Sequence, residues 1–143
     1  WPRLEMRPVA DTDCIEAKSE VFNATVRDLY DQGVRLVVDR GSVSSIVYSR
    51  VFDRGEPEHA WETLRHVEPT IVYLRCDSDE LAIRYGNTDE IYDVDEVRAV
   101  AEAYDDVISE LKGKDFVDIR TIDTTAGAPS EISEIAAEVI HGD

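Results

Sequence analysis

Three short apolar runs, each rich in β-branched or aromatic residues and set apart by helical periodicity, constrain this chain more than any other feature. They are Val34-Arg35-Leu36-Val37-Val38-Asp39, Thr70-Ile71-Val72-Tyr73-Leu74-Arg75-Cys76 and Phe116-Val117-Asp118-Ile119-Arg120-Thr121-Ile122. Near-continuous runs of this kind read as strands buried on both faces, the environment of a parallel sheet. Parallel neighbours need a crossover of a dozen or more residues, usually a helix, and the intervals supply helices. Residues 12–31 place Ile15, Phe22, Val26, Leu29 and Tyr30 at helical spacing and stop at Gly33. Residues 42–52 predict a helix capped by Ser42 or Ser44, and residues 57–67 another with Trp61 and Leu64 inward. Ser78 caps a helix through Arg84, with Asp79 and Glu80 complementing its dipole and Gly86-Asn87-Thr88 breaking it. A long helix over 94–111 carries Val97, Val100, Ala101, Tyr104, Val107, Ile108 and Leu111 on one face, and residues 129–140 form the last. A short strand over 4–9, ending at Pro8, precedes them all.

Strands alternating with helices imply an α/β three-layer domain. The 143 residues suit a single domain, 1–143, and can bury a core. No repeat, low-complexity tract or linker divides them. A hydrophobic fraction of 43% excludes a disordered chain. Thirty-two Asp and Glu against fifteen Lys and Arg give a net charge of −17, which repels phosphate backbones and anionic membranes. The lysines are Lys18, Lys112 and Lys114 alone; such a surface fits a high-salt organism and equally an acidic protein of a GC-rich genome. No run approaches the ~20 apolar residues of a membrane span, and Trp1-Pro2-Arg3-Leu4-Glu5-Met6 does not read as a signal peptide. Cys14 and Cys76 lack metal-ligand companions, so a reducing cytoplasm is expected.

Function in such a fold gathers at the carboxyl ends of the strands, where Asp39-Arg40 follows the first run directly. The stretch Asp39-Arg40-Gly41-Ser42-Val43-Ser44-Ser45-Ile46-Val47-Tyr48 resembles the D-R-x-x-x-S-S-x-x-Y signature of thymidylate kinases and their nucleotide-kinase relatives. The likeness continues in chain order. Pro69-Thr70-Ile71-Val72-Tyr73-Leu74 is similar to the family's next core strand, and Asp77-Ser78-Asp79-Glu80-Leu81-Ala82-Ile83-Arg84 to the helix entering its arginine-bearing lid. Tyr104 falls where the family places a tyrosine. Ile122-Asp123-Thr124, with Pro129-Ser130-Glu131-Ile132, resembles the last strand and the loop under the adenine.

The resemblance implies a P-loop kinase-like fold and transfer of the ATP γ-phosphoryl group to a deoxynucleoside monophosphate with Mg2+. It implies nucleotide partners and admits a homodimer. It assigns Asp39 to the metal or phosphate end and Arg40 to the acceptor monophosphate. Ser44 and Ser45 lie near the acceptor base, Tyr48 against its sugar, and Arg7 of Arg7-Pro8 near the acceptor. Arg84 neutralises the transferring group, and Asp123 and Thr124 serve the donor nucleotide. The chemistry suits these residue types: phosphoryl transfer is positioning plus charge neutralisation, arginine holds phosphate bidentately, and a carboxylate orients magnesium directly or through water. Plainer readings stand beside these. Asp39 and Arg40 make a structural ion pair, Ser44 a helix cap, Tyr48 core, Arg84 a solvated helix residue. His59, His66 and His141 read as surface or packing residues without convergent partners. The acidic run over 89–96 reads as a solvated face; it lacks the glycine and ligand spacing of a calcium loop.

Departures from the pattern are specific. Gly41 stands where the family usually has an aromatic and Ser49 where it often has glutamine, the residues bearing on thymine specificity. No G-x-x-x-x-G-K-[ST] occurs, so the donor cradle is missing. The expectation is a chain lacking the family's first, central strand, its phosphate loop and the following helix, roughly 25 residues. Residues 34–38 and 70–74 would then pair directly or expose edges. The alternatives are a kinase-derived binding or structural protein that has lost ATP, and a kinase acting on a nucleoside or a modified DNA base.

Overall fold

The structure, a computed structural model, describes residues 15–86, 93–126 and 129–141. The chain separates into two compact units, Trp1–Glu68 and Pro69–Asp143.

The first unit contains three helices: α1 (Ile15–Asp31), α2 (Gly41–Val51) and α3 (Glu58–Val67). Helix α1 ends as its glycine requires. Gly33 lies at φ +76°, its N–H donates to Tyr30 O (2.9 Å), and the Val34 N–H donates to Leu29 O (3.0 Å). That pairing is a Schellman closure, which only a residue tolerant of positive φ makes cheaply. Phe22 and Val26 of α1, Val43, Ile46 and Val47 of α2, and Ala60, Trp61 and Leu64 of α3 are buried. The helices pack on one another through these faces. Trp61 is buried with its indole N–H donating to Glu56 Oε2 (3.0 Å), so its polar edge is satisfied.

Residues 34–39 depart from expectation. They form no strand: only Val37 carries an isolated bridge, and it remains 47% exposed. A strand is defined by its ladder, and this segment has no ladder partner among the described residues. β-Branched composition alone does not supply one. The predicted strand over 4–9 lies outside the described residues.

The second unit holds β1 (Thr70–Arg75), α4 (Ser78–Gly86), α5 (Val94–Lys112), β2 (Asp118–Asp123) and α6 (Pro129–His141). The strands pair in parallel, from Thr70↔Asp118 to Arg75↔Asp123. Helix α5 is the longest, and Asp93 caps it by accepting from the Glu96 N–H (2.8 Å). Val97, Val107, Ile108 and Leu111 of α5 are buried, as are Ala82 and Ile122. The architecture is mixed α/β with a parallel pair. The pair is not buried on both faces as its sequence predicts: Leu74 is 53% exposed, and β2 alternates mostly exposed positions with Ile119 and Ile122. In the described residues β1 has β2 as its sole neighbour, so its other edge carries no ladder. The third run also begins later than predicted, at Asp118, because pairing starts opposite Thr70.

Candidate functional site

In the first unit the chain turns sharply between the 34–39 segment and α2, and Asp39-Arg40-Gly41 makes the turn. Arg40 has φ +69° and ψ −61°, and the Gly41 N–H donates to Asp39 O (3.0 Å). Those angles and that i→i+2 bond define a γ-turn of the rare, strained hand. A non-glycine residue held there costs on the order of 1–3 kcal/mol. Gly41 follows at φ +57°, and a Cβ on it would meet Val38 Cγ1 at 2.9 Å. The turn therefore needs glycine at its second position for both conformation and space. Asp39 and Arg40 are both exposed, and they form no ion pair with each other among the described residues.

The residues beyond the turn take distinct roles. Neither Ser42 nor Ser44 caps α2: Arg40 occupies the cap position without a side-chain bond. Ser42 lies inside the helix, buried, and donates from Oγ to Asn23 Oδ1 (2.6 Å). Ser45 faces α1, where its hydroxyl meets Ser19 Oγ (2.6 Å), and Ser19 Oγ also meets His59 Nε2 (3.0 Å). Ser44 and Tyr48, four apart, share a half-buried helix face, and the Tyr48 ring stacks on Phe52 (6.1 Å between centroids). Thus the structure brings Asp39, Arg40, Ser44, Ser45 and Tyr48 onto one turn and one helix. Arg7 lies outside the described residues. The histidines make packing and surface contacts: His59 meets Ser19, and His66 Nε2 meets Asp31 Oδ1 (2.6 Å) with its ring edge-on to Tyr30.

In the second unit the carboxyl ends of β1 and β2 are laced together. Both the Thr124 N–H (2.7 Å) and Thr124 Oγ1 (3.0 Å) donate to Arg75 O, and the Asp77 N–H donates to Thr125 Oγ1 (3.1 Å). Arg84 reaches across from α4: Nη2 donates to Thr124 O (3.0 Å) and Thr125 O (3.2 Å), and Nε to Glu80 Oε1 (2.9 Å). Arg84 and Thr124 are therefore together: Arg84, an exposed residue of α4, also clamps the β2–α6 loop. Asp123 Oδ1 accepts from the Thr125 N–H (2.8 Å). Bonds from Thr125 hold this carboxyl below the usual range, with Arg75 adding a smaller pull.

Arg75, which sequence reasoning left without a role, is the most heavily paired cation here. Its guanidinium lies 2.9 Å from Asp77, 3.4 Å from Asp105 and 3.8 Å from Asp123. Asp105 also accepts from the Tyr73 hydroxyl (2.8 Å), and the Tyr73 ring stacks on Tyr104. Burial first, and the Asp105 bond second, push the Tyr73 hydroxyl well above its ordinary range. Beside this cluster an open groove of about 430 Å³ is lined by Arg75, Asp77, Asp79, Glu80, Glu102 and Asp105 among others. The signal for Arg75 in the sequence was its place at a strand end; Asp77 is two residues away, and the fold brings Asp105 and Asp123 to it.

Among the described residues no three His, Cys, Asp or Glu side chains converge as a metal cage, and no helix is long and apolar enough to cross a membrane. Cys76 is a free thiol. Compared with protein-family models, curated proteins and solved structures, the chain matches none.

Proposed function

We propose that this chain carries the acceptor side of a nucleotide kinase of the thymidylate kinase type, which transfers the γ-phosphoryl group of ATP to a deoxynucleoside monophosphate. The observation that carries the reading is the Arg40 turn. Strain of this kind clusters where a side chain must be aimed, and the residue so aimed is the arginine of the D-R-x-x-x-S-S-x-x-Y pattern. Arg40 stands exposed at the end of an extended segment and the start of a helix, open to a phosphate that its planar fork suits. Ser44 and Tyr48 share a face of the helix that Arg40 begins, and in this reading they take the attached nucleoside. Asp39 supplies a neighbouring carboxylate. Magnesium in phosphoryl transfer takes one or two carboxylates plus phosphate oxygens, so Asp39 fits without a cage; the ion, when bound, neutralises phosphate charge. Among the described residues of the second unit β1 pairs with β2 alone, which in this reading leaves its other edge for a further parallel strand. The Asp123–Thr125 turn and the Arg84 clamp form a fixed loop at the strand ends, the place for a donor base.

The 143 residues carry no G-x-x-x-x-G-K-[ST] run, so no step at the donor's phosphates is assigned to them. The same observation favours a second reading, a kinase-derived protein that binds a monophosphate and transfers nothing. Both predict acceptor binding. Calorimetric titration of deoxynucleoside monophosphates tests the shared claim. Arg40→Lys should stay folded and bind roughly 10- to 100-fold more weakly, since charge-assisted bonds contribute about 1.5–3 kcal/mol each. Arg40→Ala should lose more. Unchanged affinity in both variants removes the site. Turnover with ATP by this chain alone would remove the second reading.

A further inference from the structure

We infer that Asn23, with Ser42, is the positioning pair that holds the Arg40 turn in its strained conformation. The inference rests on the functional reading for its consequence, but not for its geometry. Asn23 is fully buried beside Phe22 and Val26, where an apolar side chain would be the ordinary choice. A buried amide carries a desolvation penalty unless its bonds are made, and both ends of this one are engaged. Its Nδ2 donates to Ser19 O within α1 (2.8 Å), which fixes the amide's orientation. Its Oδ1 is thereby turned to accept from Ser42 Oγ (2.6 Å), in the first turn of α2 and two residues after Arg40.

A second bond repeats the arrangement. Ser19 and Asn23, four apart on α1, meet Ser45 and Ser42, three apart on α2. Both pairs lie at the spacing of one helix face. Two bonds at two points along each helix fix the rotation of the α2 start as well as its position. This matters because α2 has no cap of its own: Arg40 makes no side-chain capping bond. A strained residue persists only where its surroundings over-determine it. Before the turn stands Val38, packed against Gly41; after it stands Ser42, tied to Asn23. Release of that tie frees the α2 start to relax, and Arg40 with it.

The test uses the whole chain. Ser42→Ala strands the Asn23 oxygen in the core and Asn23→Leu strands the Ser42 hydroxyl, so each alone lowers the melting temperature whatever its role. The double variant Asn23→Leu/Ser42→Ala replaces the pair by apolar groups and should recover most of that loss. In this stable background two readings separate positioning from packing. First, Arg40→Gly, which relieves a positive φ, should raise the melting temperature of the native chain but not of the double variant, whose turn has already relaxed. Second, titration with deoxythymidine monophosphate should show affinity at least tenfold lower in the double variant. An undiminished Arg40→Gly effect in the double variant overturns the inference. If the native chain binds no monophosphate at all, the kinase reading fails, and the melting-temperature comparison still decides the role of Asn23.

Discussion

Removing the Arg84 guanidinium should loosen the β2–α6 loop before it does anything else. Arg84 makes one bond within α4 and two across to the loop carbonyls of Thr124 and Thr125. The Glu80 pair is an exposed i,i+4 contact, worth about 0.3–0.5 kcal/mol. A charged donor on a buried carbonyl contributes about 1.5–3 kcal/mol, but the Arg84 side chain is 44% exposed, so solvent screening takes the two loop bonds together to about 1–2 kcal/mol. Arg84→Met, which keeps the aliphatic stem, should therefore lower unfolding free energy by about 1–2 kcal/mol in urea. It should also speed amide exchange at Thr124, whose N–H donates to Arg75 O. Arg84→Lys should restore only part of the loss, since an ammonium lacks the fork that spans two carbonyls. If Arg84 instead swings free as a lid residue, Arg84→Met will change stability by less than about 0.5 kcal/mol and leave exchange at Thr124 untouched. That pair of results would refute the clamp.

Two further outcomes concern pH. The Tyr73 hydroxyl is held protonated by its half-burial and by Asp105. Its contribution is present in full below the unfolded value of ~10 and is lost as pH rises towards its raised folded value. Tyrosinate absorbance should show a last-titrating component that Tyr73→Phe abolishes, and the native chain should lose stability above pH ~10 more steeply than Tyr73→Phe; matching alkaline curves would contradict the Asp105 bond. Glu56 is held below its usual 4.5 by bonds from Arg50 and then Trp61, against the opposing effect of partial burial. Its contribution stands above 4.5 and disappears as pH falls through the folded value, so Glu56→Gln should flatten the acid limb of a Trp61-monitored unfolding curve, and an unaltered limb would deny Glu56 that role.

Helices were the most legible part of the fold because their signals are local. Gly33 closes α1, and the apolar positions of α5 recur at the spacing that buries Val97, Val107, Ile108 and Leu111. The second and third apolar runs were legible as parallel strands, since each finds the other. The first was not. Val34 to Val38 has as strong a β composition as either, but a ladder is a property of two segments, and among the described residues it has none. The caps over α2 were misread for a related reason. Ser42 has the residue type of a cap, yet its hydroxyl is spent on Asn23, nineteen positions earlier. The partners of His59 and His66 likewise arrive from α1, more than thirty residues away in sequence. Distant pairing of this kind leaves no periodic trace.

The candidate site was legible through Asp39-Arg40 and its downstream serines, but what distinguishes Arg40 physically was not in its identity. Among the described residues, Arg40 and Arg75 stand at the ends of extended segments. In a chain with thirty-two acids against fifteen Lys and Arg, a guanidinium ordinarily finds a carboxylate. Arg75 has three within 4 Å. Arg27, Arg50, Arg84, Arg98 and Arg120 each pair with at least one. A phosphate approaching any of these must displace an existing anion and meet the others around it. Arg40 instead sits on a γ-turn, exposed, and enters no ion pair among the described residues. The turn costs stability, yet Gly41 and the buried Asn23–Ser42 bond both serve to keep it. Among the described residues Arg40 thus lies outside the carboxylate pairs while its strained turn is held on both sides, and the proposed anion site rests on that combination.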